Sequence, residues 1–234
     1  MKNIAIIFAG GAGKRMNNKD KPKQFLEYNN KPILIYTIEA FNNHPLIDKV
    51  VVVMLENWID YTTELINKYN LIKVVAVVKG GKTGQSSIYN GIKKAYELYG
   101  RNNIVLVHDG VRPLIDEETI TKDIECVKNN GSAITVVNAM ETITIKSDTN
   151  KVESIVDRDR CQYARAPQCF MLGDIYDAHN KAIEEKKFNF IDSAFLMDYY
   201  GYPLYTVEGK AENIKITTPN DYYMFCSLIE NRNK

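Results

Sequence analysis

Ile4-Ala5-Ile6-Ile7-Phe8-Ala9-Gly10-Gly11-Ala12-Gly13-Lys14-Arg15-Met16 is the stretch that indicates the fold, an apolar run followed at once by a glycine-rich turn. The apolar run predicts a fully buried strand. The three glycines permit backbone conformations and close approaches that a side chain would prevent. In an open α/β sheet, a turn of this kind after a strand exposes backbone N–H groups to a phosphate. The stretch therefore predicts a phosphate-binding turn at the end of a strand.

Two common glycine motifs do not match this turn. The dinucleotide-binding fingerprint needs a glycine three residues after Gly13, where Met16 stands. The phosphate loop of ATPases needs Ser or Thr after Gly13-Lys14, and the chain has Arg15. The turn is instead accompanied by three cations, Lys14, Arg15 and Lys23. The alternative, a solvated surface loop, would be expected to carry paired charges.

A longer pattern extends from the turn, Ala9-Gly-Gly-x-Gly-x-Arg-Met16 followed by Pro22-Lys-Gln-Phe25. It resembles the nucleotide-binding signature of the nucleotidylyltransferases, most closely that of the cytidylyltransferases that activate a small polyol phosphate. Those include the methylerythritol-phosphate enzyme of isoprenoid synthesis and the ribitol-phosphate enzyme of teichoic acid and capsule synthesis. The resemblance covers nearly the whole chain, since matches follow in order at Gly80-Gly81 with Ser86-Ser87, His108-Asp-Gly-Val-Arg-Pro113, Ala166-Pro-Gln168 and Glu212-Asn-Ile-Lys-Ile-Thr217.

The composition is that of an ordinary soluble globular protein, with 45% hydrophobic and 25% charged residues. The 234 residues carry no repeat or long linker, so we predict a single domain over residues 1–234. A formal net charge of +1 argues against nucleic-acid and membrane-surface partners. The first apolar run is too short for a signal segment or a spanning helix, and a cytoplasmic location is the expectation. The four cysteines show no metal-like spacing and are predicted to be reduced thiols.

Apolar strands alternate with helical patterns along the chain, which is typical of a parallel sheet covered on both faces. We expect strands at residues 4–8, 48–54, 73–78, 103–108, 133–137 and 204–207. We expect helices at residues 32–41, 58–69, 86–96, 117–130, 174–185, 193–200 and 219–229. The predicted fold is therefore Rossmann-like α/β, a mostly parallel sheet with helices on both faces.

The alternation breaks at residues 142–146 and 151–156, two strand-like runs around the polar turn at 147–150. This pattern predicts a β-hairpin, and because a lone hairpin is only marginally stable in water it should pack against something. The resemblance implies that this protruding arm, about residues 139–160, packs against its counterpart in a second subunit. A homodimer is the expectation.

The resemblance implies nucleotidyl transfer, in which an acceptor phosphate attacks the α-phosphorus of a triphosphate and pyrophosphate leaves. Catalysis is then mainly in-line positioning and cationic stabilisation, and no base is needed because a phosphate acceptor is already ionised. The residues predicted to be catalytic are Arg15, Lys23 and Lys215. His108 is interpreted as structural, because the reaction needs no proton shuttle.

The nucleotide site implied by the resemblance is built largely from backbone groups. Its predicted members are Ala9, Gly10, Gly11, Ala12, Gly13, Gly81, Ser87 and Asp109. Recognition of cytosine near Ala9, Gly81 and Ser87 is inherited from the family, since backbone groups cannot be seen in a sequence. Ser86 and Ser87 are equally suited to a structural role, as caps of the helix that follows.

Asp109 follows the strand at residues 103–108, and open α/β sheets bind ligands at the carboxyl ends of their strands. The resemblance implies that Asp109 holds a Mg²⁺ ion that bridges triphosphate oxygens, a task that suits a carboxylate. The alternative is a structural ion pair between Asp109 and Arg112.

The predicted acceptor-binding residues are Arg112, Thr142, Arg158, Arg165 and Asp192. Arg158 matches the arm arginine that binds the acceptor's phosphate in the resembled family. Three departures fall in the matched segments: Ala166 replaces a usual threonine, Ile191 replaces the threonine of a Thr-Asp pair, and Gly84 replaces a common arginine. Arg165 either supplies a replacement phosphate contact or is a surface arginine.

The sequence thus predicts an enzyme that uses CTP and Mg²⁺ to activate a polyol phosphate. Residues 23–26, 31–35 and 213–219 are closer to the ribitol-phosphate branch, so ribitol 5-phosphate is the leading acceptor and 2-C-methylerythritol 4-phosphate is the alternative. A nucleotide sensor or scaffold without turnover is a rival from another class, weakened by the retained catalytic cations. A dehydrogenase is a third hypothesis, weakened by Met16.

Overall fold

The computed structural model describes residues 1–10 and 21–232. The strands are β1 Asn3–Ala9, β2 Glu27–Tyr28, β3 Lys31–Pro32, β4 Lys49–Met54, β5 Val74–Lys79, β6 Ile104–Asp109, β7 Ser132–Asn138, β8 Ile143–Lys146, β9 Val152–Val156, β10 Gln162–Met171 and β11 Thr206–Glu208. The helices are α1 Ile33–Asn43, α2 Ile59–Lys68, α3 Gly84–Tyr99, α4 Glu117–Asn130, α5 Leu172–Glu184, α6 Ser193–Tyr199 and α7 Pro219–Arg232. Short 3₁₀ turns lie at Lys23–Phe25, Glu56–Trp58 and Arg158–Arg160.

Seven of these strands form the central sheet, in the order β11-β7-β10-β6-β1-β4-β5. Strand β1 is parallel to β4 and β6, β4 is parallel to β5, and β11 is parallel to β7. Strand β10 is antiparallel to both of its neighbours, β6 and β7. The prediction of a mostly parallel α/β sheet is confirmed.

Strand β10 is missing from the strands predicted above. Pro167 lies inside it, and a proline within an apolar run argues against a central strand because proline cannot donate a backbone hydrogen bond. The structure accommodates Pro167 at an irregularity, where the pairing of β10 with β7 shifts register between Ala164 and Gln168. Gln168 pairs with Val107 of β6, so this irregular stretch lies beside the carboxyl end of β6.

Alternate side chains of the strands pack into two cores, one on each face of the sheet. Ile4 and Ile6 of β1 belong to the core beneath α3, α5 and α6, whereas Ala5 and Ile7 belong to the core beneath α1, α2 and α4. Fully burying an isoleucine side chain contributes about 1.5–3 kcal/mol to the stability of the fold, so the buried isoleucines of β1 hold this strand in the sheet. Within the described part of the chain, no helix is long and apolar enough to cross a membrane.

The start of α3 differs from the prediction that Ser86 and Ser87 cap this helix. The helix begins at Gly84 and its N-cap is Thr83, whose Oγ1 accepts a hydrogen bond from the Ser86 backbone N–H at 3.1 Å. Ser86 Oγ in turn accepts from the Thr83 backbone N–H at 2.9 Å. This reciprocal capping box needs the hydroxyl-bearing cap three residues before its partner, which makes Thr83 the cap.

A topological switch point lies between β1 and β6. The chain leaves β1 towards β4 on one side, while β6 pairs with β1 on the other side. Open α/β sheets bind ligands at such points, outside the carboxyl ends of the strands. Phe8 of β1 pairs with Asp109 of β6 at this edge, so Asp109 lies next to the place where the glycine-rich turn begins.

Strands β8 and β9 form a separate two-stranded antiparallel sheet, which is the predicted hairpin. Several of its apolar side chains are exposed: Ile145 by 49%, Val152 by 61% and Ile155 by 69%. The role of the hairpin as a dimerisation arm stays a prediction.

Candidate active site

A cavity of about 290 Å³ opens at the switch point. Small-molecule sites commonly occupy ~300–1,000 Å³, so this volume suits a small ligand. The polar residues that line it are Asp109, Arg112, Arg165, Gln168, Asp192, Ser193 and Lys215. Residues from distant parts of the chain therefore bring three cations and two carboxylates to one space.

Asp109 is the shared partner of two of these cations. Lys215 Nζ lies 2.5 Å from Asp109 Oδ1, and Arg112 Nε donates to Asp109 Oδ2 at 2.8 Å. Burial alone would raise the pKa of Asp109, but the charges of Lys215 and Arg112 lower it below its ordinary value. The carboxylate is therefore ionised at neutral pH and holds both cations at the cavity wall. The ion pair with Arg112, one of the two alternatives for Asp109, is present, and it leaves the metal role open.

Lys215 belongs to a short segment, residues 213–216, that we call the strap. The strap is tied to both β10 and the loop after β6. Its hydrogen bonds are Arg112 Nη1 to the Asn213 carbonyl at 2.9 Å, Asn213 Nδ2 to the Ala166 carbonyl at 2.9 Å, and the Ile216 N–H to the Val111 carbonyl at 2.9 Å. These buried bonds fix the backbone from which Lys215 reaches Asp109.

The early part of the chain meets the strap through Lys23. Lys23 Nζ donates to the Ile216 carbonyl at 2.8 Å. Its neighbour Gln24 donates from Nε2 to the Ala9 carbonyl, at the end of β1, at 2.7 Å. Two segments that are far apart in sequence thus adjoin next to the glycine-rich turn. The predicted site residues Gly11, Ala12, Gly13 and Arg15 lie outside the described residues, and their roles stay predictions.

Ser87 lies against two glycine segments. A Cβ atom at Gly10 or at Gly80 would meet Ser87 Oγ at 3.1 Å, tighter than ordinary contact. Ser87 Oγ accepts from the Gly81 N–H at 3.0 Å and donates to the Thr83 carbonyl at 2.9 Å. The lack of side chains lets both segments approach a single hydroxyl. Three predicted nucleotide-binding residues, Gly10, Gly81 and Ser87, are therefore adjacent.

Arg165 and Asp192 bring opposite charges to the cavity. Burial lowers the pKa of the half-buried Arg165, and the nearby charge of Arg112 adds to the effect. Arg165 forms no hydrogen bond or ion pair with any residue that the structure describes, so its guanidinium is available to an anion. Asp192 is the N-cap of α6: its Oδ1 accepts from the Phe195 N–H at 2.8 Å and its Oδ2 from Gln168 Nε2 at 3.0 Å.

Thr142 and Arg158 do not line the cavity. Thr142 is exposed directly before β8. Arg158 has a 54% exposed side chain and donates from Nη1 to the Met140 carbonyl at 3.3 Å. The structure separates these two predicted acceptor-binding residues from Arg112, Arg165 and Asp192.

Phe8 and Ser193 line the cavity and are absent from the predicted site residues. Nothing in an apolar run distinguishes Phe8 from its buried neighbours. Ser193 offered a signal, because it directly follows the predicted residue Asp192.

His108 is enclosed below the site. Its Nε2 lies 3.1 Å from the Arg112 carbonyl oxygen, and burial lowers the pKa of His108 to about 4. The ring is neutral at neutral pH, which agrees with a structural role.

The partners of Asp109 show whether its carboxylate could also bind a Mg²⁺ ion. Among the residues that the structure describes, no group of three or more His, Cys, Asp or Glu side chains could hold a metal ion. Mg²⁺ is commonly bound by one or two carboxylates together with substrate phosphates and water. Each Asp109 oxygen has one cationic partner, and a carboxylate offers about four lone-pair sites. Asp109 therefore fits a Mg²⁺ ion that arrives with substrate phosphates.

Known proteins match the chain over nearly its whole length. The profile of the 2-C-methyl-D-erythritol 4-phosphate cytidylyltransferase family (IspD) matches residues 3–230. A ribitol-5-phosphate cytidylyltransferase of Streptococcus agalactiae serotype V is 51% identical over 232 residues, covering 99% of this chain and 97% of the relative. A 2-C-methyl-D-erythritol 4-phosphate cytidylyltransferase of Clostridium botulinum type F is 38% identical over 229 residues, 98% of each chain. The crystal structure of the 4-diphosphocytidyl-2C-methyl-D-erythritol synthase from Anaerococcus prevotii matches with a TM-score of 0.85 and 27% identity, covering 98% of this chain and 96% of that one.

Proposed function

The chain belongs to the 2-C-methyl-D-erythritol 4-phosphate cytidylyltransferase family, and we propose that it transfers CMP from CTP to ribitol 5-phosphate, giving CDP-ribitol and pyrophosphate. Identity supports this acceptor, because the chain is 51% identical to a ribitol-5-phosphate enzyme and 38% identical to a methylerythritol-phosphate enzyme. 2-C-methyl-D-erythritol 4-phosphate is the less supported alternative.

The observation that carries the chemistry is the cluster of Lys215, Asp109 and Arg112 at the switch point. One ionised carboxylate holds two cations where the turn after β1 begins. Cations fixed before the reaction stabilise developing phosphate charge without reorganising, which is the main need of phosphoryl transfer. A lysine ammonium is a compact charge on a flexible stem, so Lys215 is suited to follow the moving phosphorus centre.

The proposed reaction is an in-line displacement. An oxygen of the acceptor's phosphate attacks the α-phosphorus of CTP, and a new P–O–P bridge forms. The bond from the α-phosphorus to the oxygen that bridges it to the β-phosphorus breaks, and pyrophosphate leaves with that electron pair. The attacking oxygen is already ionised, so His108 and the other titratable groups move no proton.

A Mg²⁺ ion held by Asp109 and the triphosphate is proposed as the metal of this reaction. The ion would neutralise charge on the triphosphate oxygens. Asp109 keeps its other lone pairs for Lys215 and Arg112, so metal binding and the cation cluster are compatible.

We also propose a homodimer in which the hairpin carries Arg158 to the neighbouring cavity. The support is the exposed apolar surface of the hairpin, together with the absence of Arg158 from the residues that line the cavity of its own chain. Exposed apolar patches of this kind commonly mark interfaces. A cytoplasmic location is proposed as well, since an enzyme that consumes CTP needs the nucleotide pool of the cell interior.

Pyrophosphate release tests the proposed function. With CTP and Mg²⁺, we expect ribitol 5-phosphate to give the highest kcat/KM in a panel that includes 2-C-methyl-D-erythritol 4-phosphate and glycerol 3-phosphate. UTP and ATP in place of CTP should react far more slowly, and EDTA should stop release. A higher kcat/KM with the methylerythritol phosphate would reassign the acceptor, and no release with any acceptor would favour a sensor without turnover.

Two arginines are predicted to bind the acceptor from different subunits. Arg158→Ala and Arg165→Leu should each raise the KM for ribitol 5-phosphate by about 10-fold or more, since a charged hydrogen bond contributes about 1.5–3 kcal/mol. The KM for CTP should be unchanged. Arg160→Ala is the control, because Arg160 is exposed and does not line the cavity. In a mixture of Arg158→Ala and Arg165→Leu, each heterodimer should contain one site with both arginines, so part of the activity at low ribitol 5-phosphate concentration should return. Sedimentation of the protein as a monomer under assay conditions would refute the shared site.

A further inference from the structure

Residues 185–192 connect α5 to α6 and reach the cavity at their far end. Ile191 and Asp192, which we call the rim, line the cavity. Residues 188–191 belong to no helix or strand, and most of them are exposed. An exposed, irregular loop keeps a fixed shape only where other elements hold its backbone. The contacts of this loop therefore decide where the rim lies.

Gln85 holds the loop with both ends of its side-chain amide. The residue lies in the first turn of α3 and is 8% exposed. Its Nε2 donates to the Lys187 carbonyl at 2.9 Å, and its Oε1 accepts from the Phe190 N–H at 3.2 Å. In the described part of the chain, no other hydrogen bond involves the backbone of residues 188–191. The loop before the rim is thus tied down by one side chain that is about a hundred residues away in sequence.

A second glutamine holds the other side of the rim. Gln168 of β10 donates to Asp192 Oδ2 at 3.0 Å and accepts from the Ala194 N–H at 2.9 Å. Gln168 fixes the end of the rim to the central sheet, whereas Gln85 fixes the residue directly before the rim to α3. Ile191 lies between these two attachments, so its place in the cavity wall depends on both of them.

The first turn of α3 also carries Ser87, a predicted nucleotide-binding residue. Ser87 Oγ accepts from the Gly81 N–H and donates to the Thr83 carbonyl, and neither bond involves Gln85. One helical turn therefore supports two parts of the site: Ser87 contacts the glycine segment, and Gln85 holds the loop that leads to the rim. A change of the Gln85 side chain should disturb the rim and leave the glycine segment in place.

We propose that Gln85 is a positioning residue that sets the place of the rim relative to the nucleotide-binding segment, an inference that rests on the proposed function, in which the acceptor occupies the cavity. Gln85 touches neither substrate. It acts through the loop, by keeping Ile191 and Asp192 where a bound acceptor meets them. Binding sites lose affinity when the residues that support their walls leave those walls loosely held.

The kinetics of pyrophosphate release test this role. Gln85→Met keeps an unbranched side chain and removes both hydrogen bonds. It should raise the KM for ribitol 5-phosphate by about 10-fold, as expected for the loss of one or two neutral hydrogen bonds. The KM for CTP should be unchanged and kcat should stay within about three-fold, because the cluster of Lys215, Asp109 and Arg112 is not altered. Gln85→Glu should recover most of the affinity, because a carboxylate oxygen still accepts from the Phe190 N–H.

Asn103→Leu is the matched control for the loss of side-chain bonds to the backbone. Asn103 is 6% exposed and lies before β6, at the end of the strand opposite the cavity. Its side chain bonds the backbone of Lys2, Tyr99 and Gly100. Asn103→Leu should lower Tm at least as much as Gln85→Met, because it breaks three bonds, and should leave both KM values unchanged. A similar rise in the KM for ribitol 5-phosphate in this control would overturn the proposal.

Hydrogen exchange gives a readout that needs no turnover. The Phe190 amide is bonded to Gln85 Oε1, so residues 188–191 should exchange faster in Gln85→Met and at the wild-type rate in Asn103→Leu. Unchanged exchange in Gln85→Met, an unchanged KM for ribitol 5-phosphate or an equal rise in the KM for CTP would overturn the proposal. A wild type that releases no pyrophosphate with any acceptor would refute the proposed function, and faster exchange of residues 188–191 would then still support Gln85 as the residue that holds the rim.

Discussion

Lys215→Met is expected to lower kcat for pyrophosphate release by about 10²–10³-fold, the cost of removing one preorganised donor from developing charge. The ammonium is held 2.5 Å from Asp109 by a strap that is fixed at both of its ends. Methionine keeps the unbranched stem and removes the charge. The fold should be kept, because the Lys215 side chain is 41% exposed and Asp109 retains Arg112 as its partner.

Lys122→Met provides the control for Lys215→Met. Lys122 pairs with Glu118 on the surface of α4 and lies outside the cavity, so its loss should change kcat by less than about two-fold. Circular dichroism should show the same folded signal for both variants. Full activity of Lys215→Met on every acceptor of the panel would contradict its catalytic role.

Asp109→Asn is expected to affect both stability and turnover. Asp109 and Arg112 are each about 10% exposed or less, and breaking a buried ion pair typically costs about 3–5 kcal/mol. In a chain of this size that loss lowers Tm by roughly 6–20 °C. Turnover should fall by at least about 10²-fold, because the carboxylate that positions Lys215, and that we propose as the ligand of Mg²⁺, is gone.

An anion effect distinguishes this explanation from general misfolding. Without Asp109, the charges of Arg112, Arg165 and Lys215 are less compensated, so pyrophosphate in the absence of Mg²⁺ should raise the Tm of Asp109→Asn more than that of the wild type. Asp177→Asn is the control, since Asp177 forms a surface pair with Arg101 and should change Tm little. An Asp109→Asn variant with wild-type Tm and turnover would refute the cluster as the centre of the site.

The parts of the fold that were predictable are those set by local sequence. Hydrophobic runs gave the parallel strands because strands buried on both faces need continuous apolar residues. Gly131 correctly marked the end of α4, where its φ of 87° favours glycine. Strand β10 was not predicted because it contains Pro167, which argues against a central strand. Its antiparallel pairing also depends on β6 and β7, which lie in earlier parts of the chain.

The site was predictable in its residue types and less so in its geometry. Asp109 was predicted from its place at the end of a strand, and Lys215 was predicted from the family resemblance. Their contact depends on the hydrogen bonds that hold the strap, and no local sequence pattern predicts those bonds. The N-cap of α3 is Thr83, whereas Ser86 and Ser87 were predicted as caps. The prediction missed Thr83 because a capping box depends on a pair of residues, here Thr83 and Ser86. Ser193 was missed although it directly follows the predicted residue Asp192, because no pattern in the sequence shows which neighbouring side chains line the cavity.

A crystal structure with CTP and ribitol 5-phosphate bound tests the central claim most directly, namely that separated cations surround one polyphosphate at the switch point. We expect the triphosphate to lie over the turn that begins at Gly10, with the ammonium groups of Lys23 and Lys215 within hydrogen-bonding distance of its oxygens. The acceptor's phosphate should contact Arg165. A nucleotide bound elsewhere, or Lys215 directed away from the α-phosphate, would contradict the account.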